Sequence, residues 1–219
     1  MINHQSVLIL GATGSVGNQL LALALSDDRI TAVTAPTRRP LPANSKLHNP
    51  IIDYGKLPDA DWWSADAVMC ALGTTIKQAG NKTAFRTVDH DFVLAAAKRA
   101  KIAGCRTFVQ NSSLGADASS GNFYLKVKGE IEQALAKLGF ESLTFVRPSL
   151  LDGGPRPERR YGEEIGLWLG KQLNILIPIR YRPVSTQSVA KAMLDAAMRP
   201  KTGLFIVESE ALDHSIGKS

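Results

Sequence analysis

The stretch that most constrains the fold is Val7-Leu8-Ile9-Leu10-Gly11-Ala12-Thr13-Gly14-Ser15-Val16-Gly17. Four apolar residues read as a short buried strand. Three glycines follow at three-residue spacing, and Leu20, Leu21, Leu23, Ala24 and Leu25 then give an apolar helix pattern. A strand turning this tightly into a helix leaves no room for side chains, and glycine removes them. The new helix aims its free N–H groups and positive dipole end at the turn, a favourable place for a diphosphate. The spacing is G-x-x-G-x-x-G, not the G-x-G-x-x-G of the standard dinucleotide fingerprint. A glycine-rich run alone is also what a plain turn looks like. Its place between a strand and a helix carries the reading.

The rest of the chain alternates strands and helices, as a doubly wound parallel sheet requires. Ile30 to Pro36, rich in β-branched residues, reads as a second strand. Thr37-Arg38-Arg39 follows it, about 20 residues beyond the glycines, where this fold class meets the adenosine ribose. An acid there would accept the ribose hydroxyls and repel a 2′-phosphate. Two arginines and no acid favour NADP(H) over NAD(H), because a guanidinium suits a phosphate. Two surface arginines would look the same. Ile51-Ile52-Asp53 is expected to end a third strand, with Asp53 placed to accept from the adenine amino group, as any loop aspartate could be. Ala67 to Gly73 is nearly uninterrupted apolar sequence, as a buried parallel strand should be. Gly73-Thr74-Thr75 lies at its C-terminal end, where ligands bind in open α/β sheets.

A long helix is expected over Thr83 to Ala103, stopped by Gly104, and Thr107 to Ser113 is the fifth strand. A second helix runs from Tyr124 to about Leu138. Leu143 to Val146 is the sixth strand, closed by Arg147-Pro148. From Gly153 to Pro183 the alternation lapses, and proline and arginine dominate at first. This insertion is expected to form a small lobe over the ligand crevice, with a short helix near Trp168 and an apolar piece from Ile175 to Ile179. Ser185 to Met198 is a last amphipathic helix, Leu204 to Val207 a last strand, and the tail after Glu210 is expected to be loose. The expectation is one α/β domain over residues 1–219, a Rossmann-type doubly wound parallel sheet of about seven strands with a small C-terminal lobe at 153–183.

Composition narrows the function classes. No apolar run approaches the about 18 residues that span a bilayer, and Met1 to Ser6 lacks the basic start and apolar stretch of a signal peptide. The expected compartment is the cytoplasm. Cys70 and Cys105 read as buried reduced thiols, and no two of the four histidines have ligand spacing, so no metal site is expected. The net charge of +6 could hint at nucleic acid, but the basic residues form no stripe with interleaved aromatics. A basic surface that attracts anionic small molecules is the better reading.

Tyr124 and Lys128 are four apart on an expected helix and project from one face. An ammonium near a phenol favours the phenolate, so the pair can serve as general acid and base. Ser113, 11 residues before Tyr124 at the mouth of the sheet, could hold a substrate oxygen, although Ser112 beside it offers the same group. Y-x-x-x-K alone has almost no specificity. Its weight comes from order: glycine loop, strand-end arginines, strand-end serine, then tyrosine and lysine.

That order resembles the short-chain dehydrogenase/reductase superfamily, specifically its extended or atypical branch and the members similar to the Tat-interacting protein. The matching parts are Gly11-Ala12-Thr13-Gly14, Arg38-Arg39, Leu72-Gly73-Thr74-Thr75 with Ala79-Gly80, and Val88-Asp89. Ser112-Ser113 with Gly115-Ala116-Asp117, Tyr124-Leu125 with Val127-Lys128-Gly129-Glu130, and Arg147-Pro148 match as well. The resemblance covers nearly the whole chain. It implies NADP(H), with Gly11, Thr13, Gly14, Ser15 and Val16 on the diphosphate, Arg38 and Arg39 on the 2′-phosphate, and Asp53 on the adenine. It also implies that Ala71, Leu72 and Gly73 line the middle of the cofactor. Tyr124 and Lys128 would meet the nicotinamide ribose, and Leu151 and Arg156 would close over the other side. Two departures stand out: the superfamily's helical asparagine is either replaced by Asp89 or lost, and Ser149 stands where many relatives have glycine.

Three functions fit these residues. The first is an NADP(H)-dependent reductase of a small carbonyl compound, acting as a monomer or homodimer without nucleic-acid or membrane partners. The second is a redox-reporting protein that holds NADP(H) and engages a protein partner. The third, a nucleotide-sugar epimerase, is disfavoured by the short lobe.

Overall fold

The computed structural model describes residues 5–152 and 178–212. Seven parallel strands form one sheet in the order β3-β2-β1-β4-β5-β6-β9. They are β1 (Gln5–Leu10), β2 (Ile30–Thr34), β3 (Leu47–His48), β4 (Ala67–Cys70), β5 (Thr107–Asn111), β6 (Ser142–Arg147) and β9 (Gly203–Glu208). The chain runs outward from β1 through β2 to β3, then returns to place β4 on the other side of β1. That reversal opens a crevice at the C-terminal ends of β1 and β4, the ligand site of open α/β sheets.

The uninterrupted apolar strands follow from helices on both faces. Val7 and Ile9 of β1 and Met69 of β4 point into one core, with Leu20 of α1 (Ser15–Ser26) and Met193 of α6 (Thr186–Met198). Leu8, Leu10, Val68 and Cys70 point into the other. There they meet α4 (Val93–Ile102) and α5 (Phe123–Ala136). On α4 the buried residues are Val93, Ala96, Ala97 and Ala100, small enough to seat the helix close to the sheet.

The expected long helix is present but not uniform. After the short α2 (Ile76–Ala79), α3 (Lys82–Arg86) passes into a π-helical segment, Thr87–Phe92, and then into α4. The expected third strand is displaced. β3 is Leu47–His48, paired with Val33 and Thr34, whereas Ile51 makes only an isolated bridge to Thr37. Asn49 explains the break. Its side chain donates to Ala35 O (2.5 Å) and Thr37 Oγ1 (2.8 Å), standing in for the ladder, and Pro50 next to it has no N–H to offer.

A separate two-stranded parallel ladder joins β7 (Leu151–Asp152) to β8 (Val184–Ser185) where the chain leaves and re-enters. The expected helix near Trp168, the apolar run from Ile175 and most of the lobe lie outside the described residues, as does Arg156.

Candidate functional site: a dinucleotide cleft

The glycine loop is built by exclusion. Gly11 has φ +80°, and a Cβ there would lie 2.6 Å from Leu72 N. It therefore packs directly on the backbone after β4. A Cβ on Gly17 would lie 2.0 Å from Gly11 O, so the first turn of α1 rests on the loop itself. Gly14 differs. Its φ is −78°, and an added Cβ would come no nearer than 3.4 Å to any atom. Gly14 is exposed, so a phosphate could approach its backbone there. Gly14 is also the N-cap of α1, with no side-chain cap and no acid in the first turn. The amides of Ser15 and Val16 thus open a helix terminus suited to an anion. Thr13, Gly14 and Ser15 are exposed, while Val16 is buried and contributes through its backbone. This cradle fits a diphosphate.

Behind it stands Tyr54, which motif reading missed. The phenol is buried and donates to Pro36 O (3.0 Å). Burial pushes its pKa well above the ordinary tyrosine value. Tyr54 thereby bonds the segment just after β2 while its ring packs in the same core as Leu8 and Leu10 of β1. Arg38 and Arg39 follow that end and are exposed, without an ion-pair partner among the described residues. The loop carrying them is held by Thr37, whose hydroxyl donates to Arg39 O (2.6 Å). Asp53 sits beside this loop, since Ile52 N bonds Thr37 O (2.9 Å), and its Oδ1 accepts from Gly55 N–H (2.8 Å).

The register aligns the remaining loops. Cys70 pairs with Gln110, so Gly73 and Ser113, each three residues on, leave adjacent strands at the same level. Ala71 and Leu72 pack on Gly11 as described. The two neighbouring serines differ in their hydrogen bonding. Ser112 is buried and donates to Glu132 Oε1 (2.5 Å), whereas Ser113 makes only a 3.4 Å contact with Leu114 O. The Ser112 hydroxyl is thus committed to α5, and the half-buried Ser113 hydroxyl is not. Leu151 opens β7, half-buried against the α1/α6 core.

Tyr124 is the second residue of α5, whose N-cap Asn122 accepts from Tyr124 N (2.9 Å). The phenol is half-buried, its ring tilted against Phe85 (centroids 5.6 Å apart, planes at 43°). Gly129 lets α5 approach, because a Cβ there would lie 2.1 Å from Ala118 N. One turn below Tyr124, Lys128 is buried, with its Nζ 5.9 Å from the Tyr124 ring centre. Its ammonium pairs with the fully buried Asp89 in the π segment (Nζ–Oδ1 2.8 Å), and Asp89 Oδ2 accepts from Thr74 N–H (2.8 Å). Burial alone would push the Lys128 pKa down. The Asp89 carboxylate, with smaller help from Tyr124 and Cys70, more than offsets this, and the pKa is raised above its ordinary value. Cys70 and Cys105 are buried free thiols, pushed up by burial to about 12 and about 11.

The sheet and crevice define a dinucleotide-binding α/β protein. Comparison with known proteins makes this specific: the family of NAD(P)H-binding proteins matches residues 11–200, and the chain belongs to that family. It is 35% identical over 227 residues to Protein HTATIP2 of Rattus norvegicus, covering 99% of this chain and 91% of that one. It is 34% identical over 213 residues to the mitochondrial protein FMP52 of Candida albicans, covering 90% of each. Among solved structures it is similar to MoeE5 in complex with UDP-glucose and NAD, with TM-score 0.69, 17% identity, and coverage of 92% of this chain and 74% of that one. A short-chain dehydrogenase family protein from Francisella tularensis superposes with TM-score 0.64 and 14% identity, covering 95% and 98%. These neighbours share the fold. No helix among the described residues is long and apolar enough to cross a membrane.

Proposed function

We propose that the chain is an NADP(H)-dependent reductase of small carbonyl compounds. The observation that carries this is the alignment at the crevice of an anion cradle, an available strand-end serine and a tyrosine–lysine turn. A bound reduced nicotinamide supplies a hydride. The chain's residues do the rest: Ser113 orients the carbonyl oxygen, Tyr124 passes its hydroxyl proton to that oxygen, and Lys128 holds the ribose from below. The carbonyl becomes an alcohol, the dinucleotide is oxidised, and the tyrosine is reprotonated from water.

NADP(H) is favoured over NAD(H) because Arg38 and Arg39 stand exposed after β2, and no acid occupies that strand end in the sequence. We expect NADPH to bind at least tenfold tighter than NADH, a difference of about 1.4 kcal/mol. Calorimetry on the wild type and on Arg38→Ala/Arg39→Ala measures it, and equal affinities in the wild type would sink the preference.

A second reading is an NADP(H)-holding regulatory protein with little turnover. It is favoured by the commitment of the Lys128 charge to a buried carboxylate. A carbonyl panel followed by NADPH absorbance separates the two. The reductase requires turnover that falls by about 10²–10⁴-fold in Tyr124→Phe while NADPH still binds. Turnover unchanged by that substitution defeats the assigned mechanism.

A further inference from the structure

The least expected group in the crevice is Asp89. It is fully buried, yet it sits in a helix, where an aspartate ordinarily faces water. The helix is π-wound from Thr87 to Phe92, and such segments recur where a side chain must be presented out of α register. Here the presented group is a carboxylate that reaches two other elements at once. Oδ1 meets Lys128 Nζ of α5 and Oδ2 accepts the Thr74 N–H just after β4, both at 2.8 Å. Gly73 completes the fit, since a Cβ there would lie 3.1 Å from Asp89 Oδ1 and 3.7 Å from Lys128 Nζ.

We propose that Asp89 is the positioning residue for Lys128 and for the Gly73–Thr74 loop, holding the lysine as a fixed ammonium beneath the cofactor ribose. This rests on the dinucleotide reading of the crevice. The groups that face Lys128 are Asp89 from the π segment, Tyr124 from its own helix and Cys70 from β4. Only Asp89 makes an ion pair with it among the described residues. Without that carboxylate, burial is left as the dominant influence and favours the neutral amine. A packing role for Asp89 would leave the lysine charged whatever replaced it.

The test is NADPH affinity against pH for the wild type and for Asp89→Asn, which keeps an acceptor for Thr74 N–H and removes the charge. The wild type should bind with near-constant affinity from about pH 6 to about pH 9, since its lysine stays protonated. In Asp89→Asn the affinity should fall about tenfold or more across that range as Lys128 loses its proton. A variant as tight and as flat as the wild type overturns the proposal. If Asp89→Asn folds but is too unstable for titration, thermal melts decide, and if it does not fold at all, a folded Asp89→Asn/Lys128→Met double variant gives the same answer. The substitution should cost far less in a Lys128→Met background than alone, and an equal cost in both backgrounds overturns the proposal. A wild type that fails to bind NADPH at all sinks the dinucleotide reading instead, and the melts still test the pairing.

Discussion

Three glycines in the first turn look alike in the sequence and are not alike in space. Gly11 and Gly17 are required by the chain itself, one for its positive φ and both for backbone approaches under 3 Å. Gly14 is required by neither, and on the proposed reading it serves the ligand. Gly17→Ala should therefore lower stability by about 3 kcal/mol, because backbone must move to admit the methyl. Gly14→Ala should fold within about 0.5 kcal/mol of the wild type and bind NADPH about tenfold more weakly. Thermal denaturation paired with cofactor titration checks both, and a Gly14→Ala protein that binds normally would remove the cradle argument. At this scale the sequence was informative wherever chemistry follows from spacing, as with Tyr124 and Lys128. It was silent on Asp89 as a partner of Lys128, because the two are 39 positions apart and the π turn that joins them leaves no mark in the apolar spacing.

Elements were legible where they are buried along their length, as β4 and β5 are, or long and amphipathic, as α5 is. They were not where pairing is decided from outside. Ile51-Ile52 is the more strand-like dipeptide, yet Leu47-His48 pairs with β2 because the Asn49 side chain ends the ladder. The same holds for the network binding the C-terminal ends of β5, β6 and β9. Glu132 of α5 accepts from Ser112 and takes Arg147 in a two-point contact (Nε–Oε1 3.0 Å, Nη2–Oε2 2.5 Å), while Arg147 also meets Glu208 (3.2 Å). Both carboxylates raise the Arg147 pKa above its already high ordinary value, the Glu132 hydrogen bonds contributing most. Glu132→Ala leaves a guanidinium that is largely out of water with Glu208 alone and should cost about 3 kcal/mol in urea denaturation, with Ser112→Ala nearer 1 kcal/mol. A loss under about 1 kcal/mol for Glu132→Ala would mean that this contact does not hold the strand ends together.

For the molecule as a whole, burial of ionisable groups sets an alkaline limit. Cys70 and Cys105 are raised from 9.0 to about 12 and about 11 in the folded state. A group raised in this way contributes stability that is complete below its unfolded value and is lost as pH climbs through its folded value. Stability should therefore begin to decline near pH 9.0 and fall progressively to about pH 12. Lys128, raised above 10.5, adds to the upper part of that window. Cys70→Ala should flatten the decline by up to about 1.4 kcal/mol per pH unit. Melting temperatures from pH 8 upward measure this slope, and an unchanged slope would place the alkaline limit elsewhere. The packing of α1 on α6 has a consequence in time as well. Val16 and Leu20 leave the ribosome early, but Val189 and Met193, which cover them, are synthesised about 170 residues later. At roughly 5–20 residues per second, that face of the nascent sheet waits about 10–30 s for its cover. During each round of synthesis the first apolar helix made is among the last to be shielded, which makes it the natural point of engagement for a chaperone.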